Sequence, residues 1–222
     1  MDAIFEKLAG VRLFAGVSAQ DLRGALAVEE CIVGRYEKGT VVLQQGDECR
    51  HVGLILSGCL TAEQLSPSGE SMAIRTFGAG DCFAPAQVYA RDPVYAYTLT
   101  AARRTEVFYI PMPLFRHLVD ALPGFARNLV AHLADMVVYF SDRVTMLSQR
   151  GIRPRLVLYL NKASKAAGSL RFTLPDTFTR VASLTGTARP SVHRELKKMA
   201  GEGLLRLAGR QVVLLRPEAF GL

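Results

Sequence analysis

The chain has 222 residues, half of them hydrophobic, enough to bury the core of one large domain or two small ones, which excludes a disordered chain. Its net charge of +7 is unevenly divided: 13 Lys and Arg against 16 Asp and Glu before residue 150 leave −3, and 14 against 4 from Arg150 onward leave +10. No apolar run reaches the roughly 18 residues of a membrane span, and Met1 to Lys7 lack the basic start and apolar core of a signal peptide, so a soluble, cytoplasmic protein is expected.

Ile4, Phe5 and Leu8 make a short amphipathic start, and Ser18 is placed to cap a second helix over Ala19 to Val28. From Cys31 to about Ile110 the period changes to short β-branched and apolar runs punctuated by glycine: Val41 to Leu43, Val52 to Leu56, Ala73 to Phe77 and Thr105 to Ile110. Strands of that length with regular turn signals predict a β-sandwich or barrel. Cys31, Cys49, Cys59 and Cys82 are spaced 18, 10 and 23 apart, which matches no zinc or iron–sulfur pattern, so no metal site is expected and the thiols read as reduced and structural. Glycine patterns for nucleotide hydrolysis are absent, as are paired carboxylates or a Ser-His-Asp arrangement; nothing in the sequence assembles an enzyme.

Pro123-Gly124 introduces a segment, Phe125 to about Arg150, with no internal proline or glycine. Val130, Val137 and Val144 fall on heptad a positions and Leu133, Phe140 and Leu147 on d, the pattern of a parallel two-stranded seam. The alternative is one amphipathic helix packed on its own β-domain. Gly151 to Pro154 breaks the helix and marks a boundary, giving three parts: a β-rich sensor over 1–122, a dimerisation helix over 123–150 and a basic domain over 151–222. The basic domain reads as a helix from Arg153 to Ala166, a short strand near Leu170 to Leu174, two helices, and a hairpin from Leu204 to Leu215 turning at Gly209. Such an excess of cations calls for a polyanion, with double-stranded DNA first and an anionic membrane surface second.

Between Phe178 and Gly203 two helices meeting at a tight turn need a small residue at their crossing, a glycine in the turn and an apolar residue packing back. Ala182, Gly186 and Val192 stand at those places, four and six apart, which is helix-turn-helix spacing. Thr187 is read as the cap of the second helix and Pro190 as a first-turn residue. Its outer face carries Arg189, Ser191, His193 and Arg194, assigned to base reading, and Lys197 and Lys198, assigned with Thr179 to phosphate contacts.

These residues, together with Gly39-Thr40-Val41-Val42, Gly46-Asp47, Ile55-Leu56-Ser57-Gly58, Ser66-Pro67-Ser68-Gly69-Glu70 and Gly78-x-Gly80-Asp81-x-Phe83, make the whole chain resemble the Crp/Fnr superfamily of bacterial transcription regulators. The resemblance implies an α+β fold: an N-terminal double-stranded, jelly-roll-like β-roll of the cyclic-nucleotide-binding type, a long dimerisation helix and a C-terminal winged helix-turn-helix. It further implies a homodimer on an inverted-repeat operator, a small-molecule effector and RNA polymerase as a partner. The alternative is a ligand-binding roll without sequence-specific DNA binding.

Two departures matter. Cyclic-nucleotide-binding members carry Gly-Glu for the ribose and Arg followed by Ser or Thr for the cyclic phosphate; here those places read Ala84-Pro85 and Tyr95-Ala96, so cyclic AMP is not the expected effector. The candidate pocket, Phe83, Ala84, Pro85, Tyr89, Tyr95, Tyr97 and Phe140, suits a flat aromatic molecule, or haem as in some nitric-oxide-sensing relatives, with His51, His117, His132 and Met136 as candidate ligands. No iron–sulfur cluster is expected, because no cysteine precedes Cys31. Pro190 also replaces the glutamate that many relatives use to read cytosine, so the operator should differ from theirs.

Overall fold

A computed structural model describes residues 2–65 and 71–222, so the Ser66–Glu70 motif lies outside the described residues. The chain forms two compact units, Met1–Met136 and Val137–Leu222, with the division falling inside one long helix.

In the first unit, helices α1 (Asp2–Ala9) and α2 (Ala19–Ala25) precede strands β1 (Ile32–Tyr36), β2 (Val41–Leu43), β3 (His51–Ser57), β4 (Cys59–Leu65), β5 (Ser71–Gly78), β6 (Cys82–Phe83), β7 (Thr98–Ala101) and β8 (Thr105–Pro111). They pair antiparallel into two sheets, β1-β8-β3-β6 and β2-β7-β4-β5, and close a roll. Its core includes Val52, Leu54, Ile55, Leu60, Leu99, Val107 and Ile110, each fully buried. Gly53 is dictated by packing: a Cβ there would stand 1.9 Å from Cζ of Phe83, whose ring lies against the bare backbone. Ser18 caps α2 by accepting from the Asp21 amide at 3.0 Å, as expected. That helix ends at Ala25 rather than Val28, because Leu26 turns extended and Val28–Glu30 wind into a separate 3-10 turn. β1, β4, β6, β7 and helix α3 (Met112–Ala121) were not marked by the glycine-bounded runs.

Helix α4 spans Pro123–Leu147 and opens on the proline itself, two residues ahead of the expected start. Among the described residues no helix is long and apolar enough to cross a membrane.

The second unit holds the end of α4, then α5 (Ile152–Ala167), β9 (Arg171–Thr173), α6 (Phe178–Thr185), α7 (Arg189–Gly201), β10 (Leu205–Ala208) and β11 (Gln211–Leu214). The strands form an antiparallel sheet in the order β10-β11-β9, the wing. Met146, Leu156, Leu160, Val181, Val192, Leu196, Met199, Leu205, Val212 and Phe220 make a separate core.

Candidate nucleic-acid interface

Thr177 opens α6, its hydroxyl accepting from the Arg180 amide at 3.3 Å. The helix closes on Gly186, left-handed at φ 60 and ψ 41, while the Thr187 amide reaches back to the Ala182 carbonyl at 2.9 Å. Ala182 and Val192 are buried, and Gly186 closes α6 between them. The cap of α7 differs. Ala188 occupies that position without a side-chain bond, and the Thr187 hydroxyl instead pairs with that of Thr185 at 3.0 Å. Its amide is committed to closing α6, so Thr187 belongs to the turn, and helical geometry starts only at Arg189.

Helix α7 buries Val192, Leu196 and Met199 on one stripe. Arg189, Arg194, Lys197 and Lys198 are exposed on the rest of its surface, and Thr179 is exposed in the first turn of α6. Ser191 and His193 are half-buried, and the His193 imidazole packs at a tilt against Phe178 with ring centroids 4.4 Å apart. The residues expected to read bases therefore divide into two exposed arginines and two residues partly occupied by packing.

Two further arginines, which sequence reasoning passed over as bulk charge, set the position of these helices. Arg153 of α5 donates from Nε to Glu195 at 2.5 Å and from both Nη atoms to Glu202 at 2.6 and 2.8 Å, holding two points of α7. Arg155 donates to the carbonyls of Leu147, Gln149 and Thr185 at 3.1, 3.0 and 2.8 Å, filling acceptors left open at the ends of α4 and α6. Leu147 packs on the turn: its Cδ2 lies 2.8 Å from where a Cβ on Gly186 would stand. In the wing, Arg210 is tied to the carbonyls of Leu174 and Pro175 at 2.5 and 3.1 Å.

Of the expected seam residues, Val130, Val137, Phe140 and Val144 are 66, 69, 41 and 69 % exposed on α4. Leu133 packs partly against the first unit's core and Leu147 against Gly186.

In the roll, Phe83, Ala84 and Pro85 are buried, and Ala84 adopts a left-handed φ of 62. Phe83 meets Phe77 and Tyr109 edge-on at 6.4 and 6.1 Å, and Phe77 meets Tyr97 at 5.9 Å, so these rings pack on each other. Burial pushes the Tyr97 hydroxyl up to about 12. The Tyr95 hydroxyl is turned to the His51 carbonyl at 3.4 Å, Tyr89 is 57 % exposed, and Phe140 belongs to the second unit. Arg75, absent from the expected site, packs its guanidinium 4.7 Å over Phe77 and 3.9 Å from Asp81. Of the histidines, His117 is exposed and His132 Nε2 lies 3.4 Å from Cys82 Sγ. Burial, then the charge of Arg75, holds the His132 imidazole below its ordinary range, and burial raises the Cys82 thiol to about 12. All four cysteines are free, and no group of three or more metal-binding side chains occurs among the described residues.

A β-roll of this kind followed by a winged reader defines a two-module regulator: residues 33–121 match the cyclic nucleotide-binding domain family and residues 154–220 the Crp-like helix-turn-helix domain family. The chain is 32% identical over 186 residues to "Probable transcriptional regulator flp" of Lacticaseibacillus casei, covering 83% of each chain. It is 27% identical over 218 residues to the cyclic AMP receptor protein of Thermus thermophilus, covering 96% of this chain and 99% of that one. The solved structure of CLP from Xanthomonas campestris, described as a c-di-GMP responsive global regulator, superposes with a TM-score of 0.63 at 19% identity, covering 89% of this chain and 99% of that one, a likeness of fold. The chain belongs to the Crp/Fnr family of DNA-binding transcriptional regulators, whose members are regulators and not enzymes.

Proposed function

We propose that the chain works as a homodimer on an inverted-repeat DNA site, reading it with α7 in the major groove and responding to an effector other than cyclic AMP. The observation that carries the DNA reading is the outward surface of α7, where Arg189 and Arg194 stand exposed while Val192, Leu196 and Met199 anchor the helix to its core. Each guanidinium can donate two hydrogen bonds to guanine O6 and N7, whereas Lys197 and Lys198 act as point charges for phosphates. Dimerisation is supported by the exposed Val130, Val137, Phe140 and Val144, an apolar stripe that water covers unless a second copy does. Two recognition helices so paired enter successive major grooves about 34 Å apart. RNA polymerase is the protein partner this role entails.

The effector reading rests on Ala84 and Pro85, which offer no carboxylate to a ribose, and on Tyr95, which offers no cation to a cyclic phosphate. A small aromatic molecule remains the first candidate for the roll, with haem second.

The test is a set of altered operators titrated across a salt series. Arg189→Ala or Arg194→Ala should cost about 1–3 kcal/mol and relax preference at one base pair per half-site. Lys197→Ala or Lys198→Ala should weaken all sequences alike and reduce the salt slope by about one unit. Arginine variants that weaken every operator equally would remove α7 as the reader.

A further inference from the structure

Strand β6 is two residues long, and its side chains point to opposite faces of the sheet: Phe83 joins the rings of Phe77 and Tyr109, while Cys82 turns to α4. Cys82 is 3 % exposed, and its Sγ stands 3.4 Å from His132 Nε2, so a thiol and an imidazole nitrogen face one another directly. His132 shares the stripe of α4 on which Phe125, Leu129 and Leu133 pack into the first unit's core. Met136, half-buried, continues that stripe one turn beyond His132. Among the described residues no third His, Cys, Asp or Glu converges on the pair. Asp81, next to Cys82 in sequence, is occupied elsewhere, accepting from the Gly78 amide at 2.8 Å and lying 3.9 Å from Arg75.

We infer that Cys82, His132 and Met136 form a site for one soft monovalent metal ion, Cu(I), that ties β6 to α4. Donor softness selects it first: thiolate, imidazole and thioether suit Cu(I), whereas magnesium, calcium and manganese want oxygen. Geometry agrees. With bonds of about 2.3 Å to sulfur and about 2.0 Å to nitrogen, as a d10 ion keeps in proteins, donors 3.4 Å apart subtend about 104° at the metal and leave a third position open. The three rotatable bonds of Met136 let its thioether close that position. Charge is the third argument: the ion replaces the thiol proton, Cys–SH + Cu⁺ giving Cys–S–Cu + H⁺, and the proton leaves to solvent. The product is neutral, as so buried a sulfur requires, while a divalent ion on one thiolate would keep an uncompensated charge. Burial raises the Cys82 thiol and the charge of Arg75 opposes that rise; at His132 burial, then Arg75, favours the neutral imidazole that can ligate. The half-buried edge of His132 gives the ion its entry.

The site is tested on the full-length protein without DNA, so failure of the operator assignment does not bear on the outcome. Under anaerobic, reducing conditions the protein should withdraw one equivalent of Cu(I) per chain from its bicinchoninate complex, and X-ray absorption should show one nitrogen and two sulfur ligands. Cys82→Ser and His132→Gln should each weaken binding at least a hundredfold, and Met136→Leu at least tenfold with loss of one sulfur. The triple variant Cys31→Ser, Cys49→Ser, Cys59→Ser should bind as the parent does. If Cys82→Ser fails to fold, His132→Gln and Met136→Leu, both at half-buried positions, carry the test. No withdrawal of Cu(I) overturns the inference, as does binding that survives His132→Gln or is lost in the triple variant. Unchanged affinity in Met136→Leu overturns the three-ligand site.

Discussion

Replacing Gly186 by alanine puts two separable penalties on the turn of the reader. The first is conformational: at φ 60 and ψ 41 the residue is left-handed, which costs an L-amino acid with a Cβ about 1–2 kcal/mol. The second is steric: the new methyl would stand 2.8 Å from Leu147 Cδ2, well inside the ~3.5–4.0 Å at which carbons rest, with Arg155 Nη1 at an ordinary contact of 3.4 Å, and overpacking of this order costs about 1–3 kcal/mol. Leu147 is half-buried and can partly withdraw, so the sum falls near 2–4 kcal/mol. Urea unfolding of Gly186→Ala, Leu147→Ala and the double variant, with the two units' transitions followed separately, resolves the terms. In the Leu147→Ala background the glycine substitution should cost only the conformational ~1–2 kcal/mol, leaving a coupling of about 1–2 kcal/mol. Equal costs in both backgrounds would refute the idea that the end of α4 presses on the turn.

Three other outcomes follow from the same structure. Val137→Asp places a carboxylate in the proposed seam at a cost of several kcal/mol, so light scattering should report a monomer; an unchanged dimer would sink the seam. Calorimetry with cyclic AMP and cyclic GMP should show no micromolar binding, and a measurable isotherm for either would contradict the reading of Ala84, Pro85 and Tyr95. His132 is held below its ordinary 6.5 in the fold and returns to it on unfolding, so its contribution to stability is present above 6.5 and lost as the pH falls below it. The first unit should therefore weaken as the pH falls below about 6.5, and His132→Gln should flatten part of that slope, the half-buried His51, also held low, supplying some of the rest; an unaltered slope would discount His132.

The elements legible in the sequence were those governed by local rules. The Ser18 cap, the breaks at Pro123 and Gly151, the Ala182–Gly186–Val192 spacing and the wing turn at Gly209 each depend on a few neighbouring residues. β1 was hidden because Ile32 and Val33 are exposed and Gly34 interrupts the run, so no alternation announces it; its partner β8 supplies the order. The cap at Thr187 failed for a related reason: a threonine before a helix is a fair cap only when its amide is not already closing the helix before. Arg75, Arg153 and Arg155 were invisible as individuals, since a charge count cannot say which guanidinium meets Glu195, Glu202 or a helix end. The roll's aromatics were recognised as a set, but whether such rings enclose a ligand or one another depends on distances across strands far apart in sequence, as Phe77 and Tyr97 show.

Arg153 bears on how recognition would proceed in time. Its bonds to Glu195 and Glu202 hold α7 at a middle turn and at its end, so the helix proposed as reader would meet a duplex already formed and oriented. A basic segment that ordered only on contact would surrender conformational entropy at that moment and bury extensive apolar surface, with a large negative heat-capacity change. Here that ordering belongs to folding. Association is then a docking of rigid surfaces whose heat capacity reports the contact area and whose rate is set by encounter and orientation, with no slow step of helix formation.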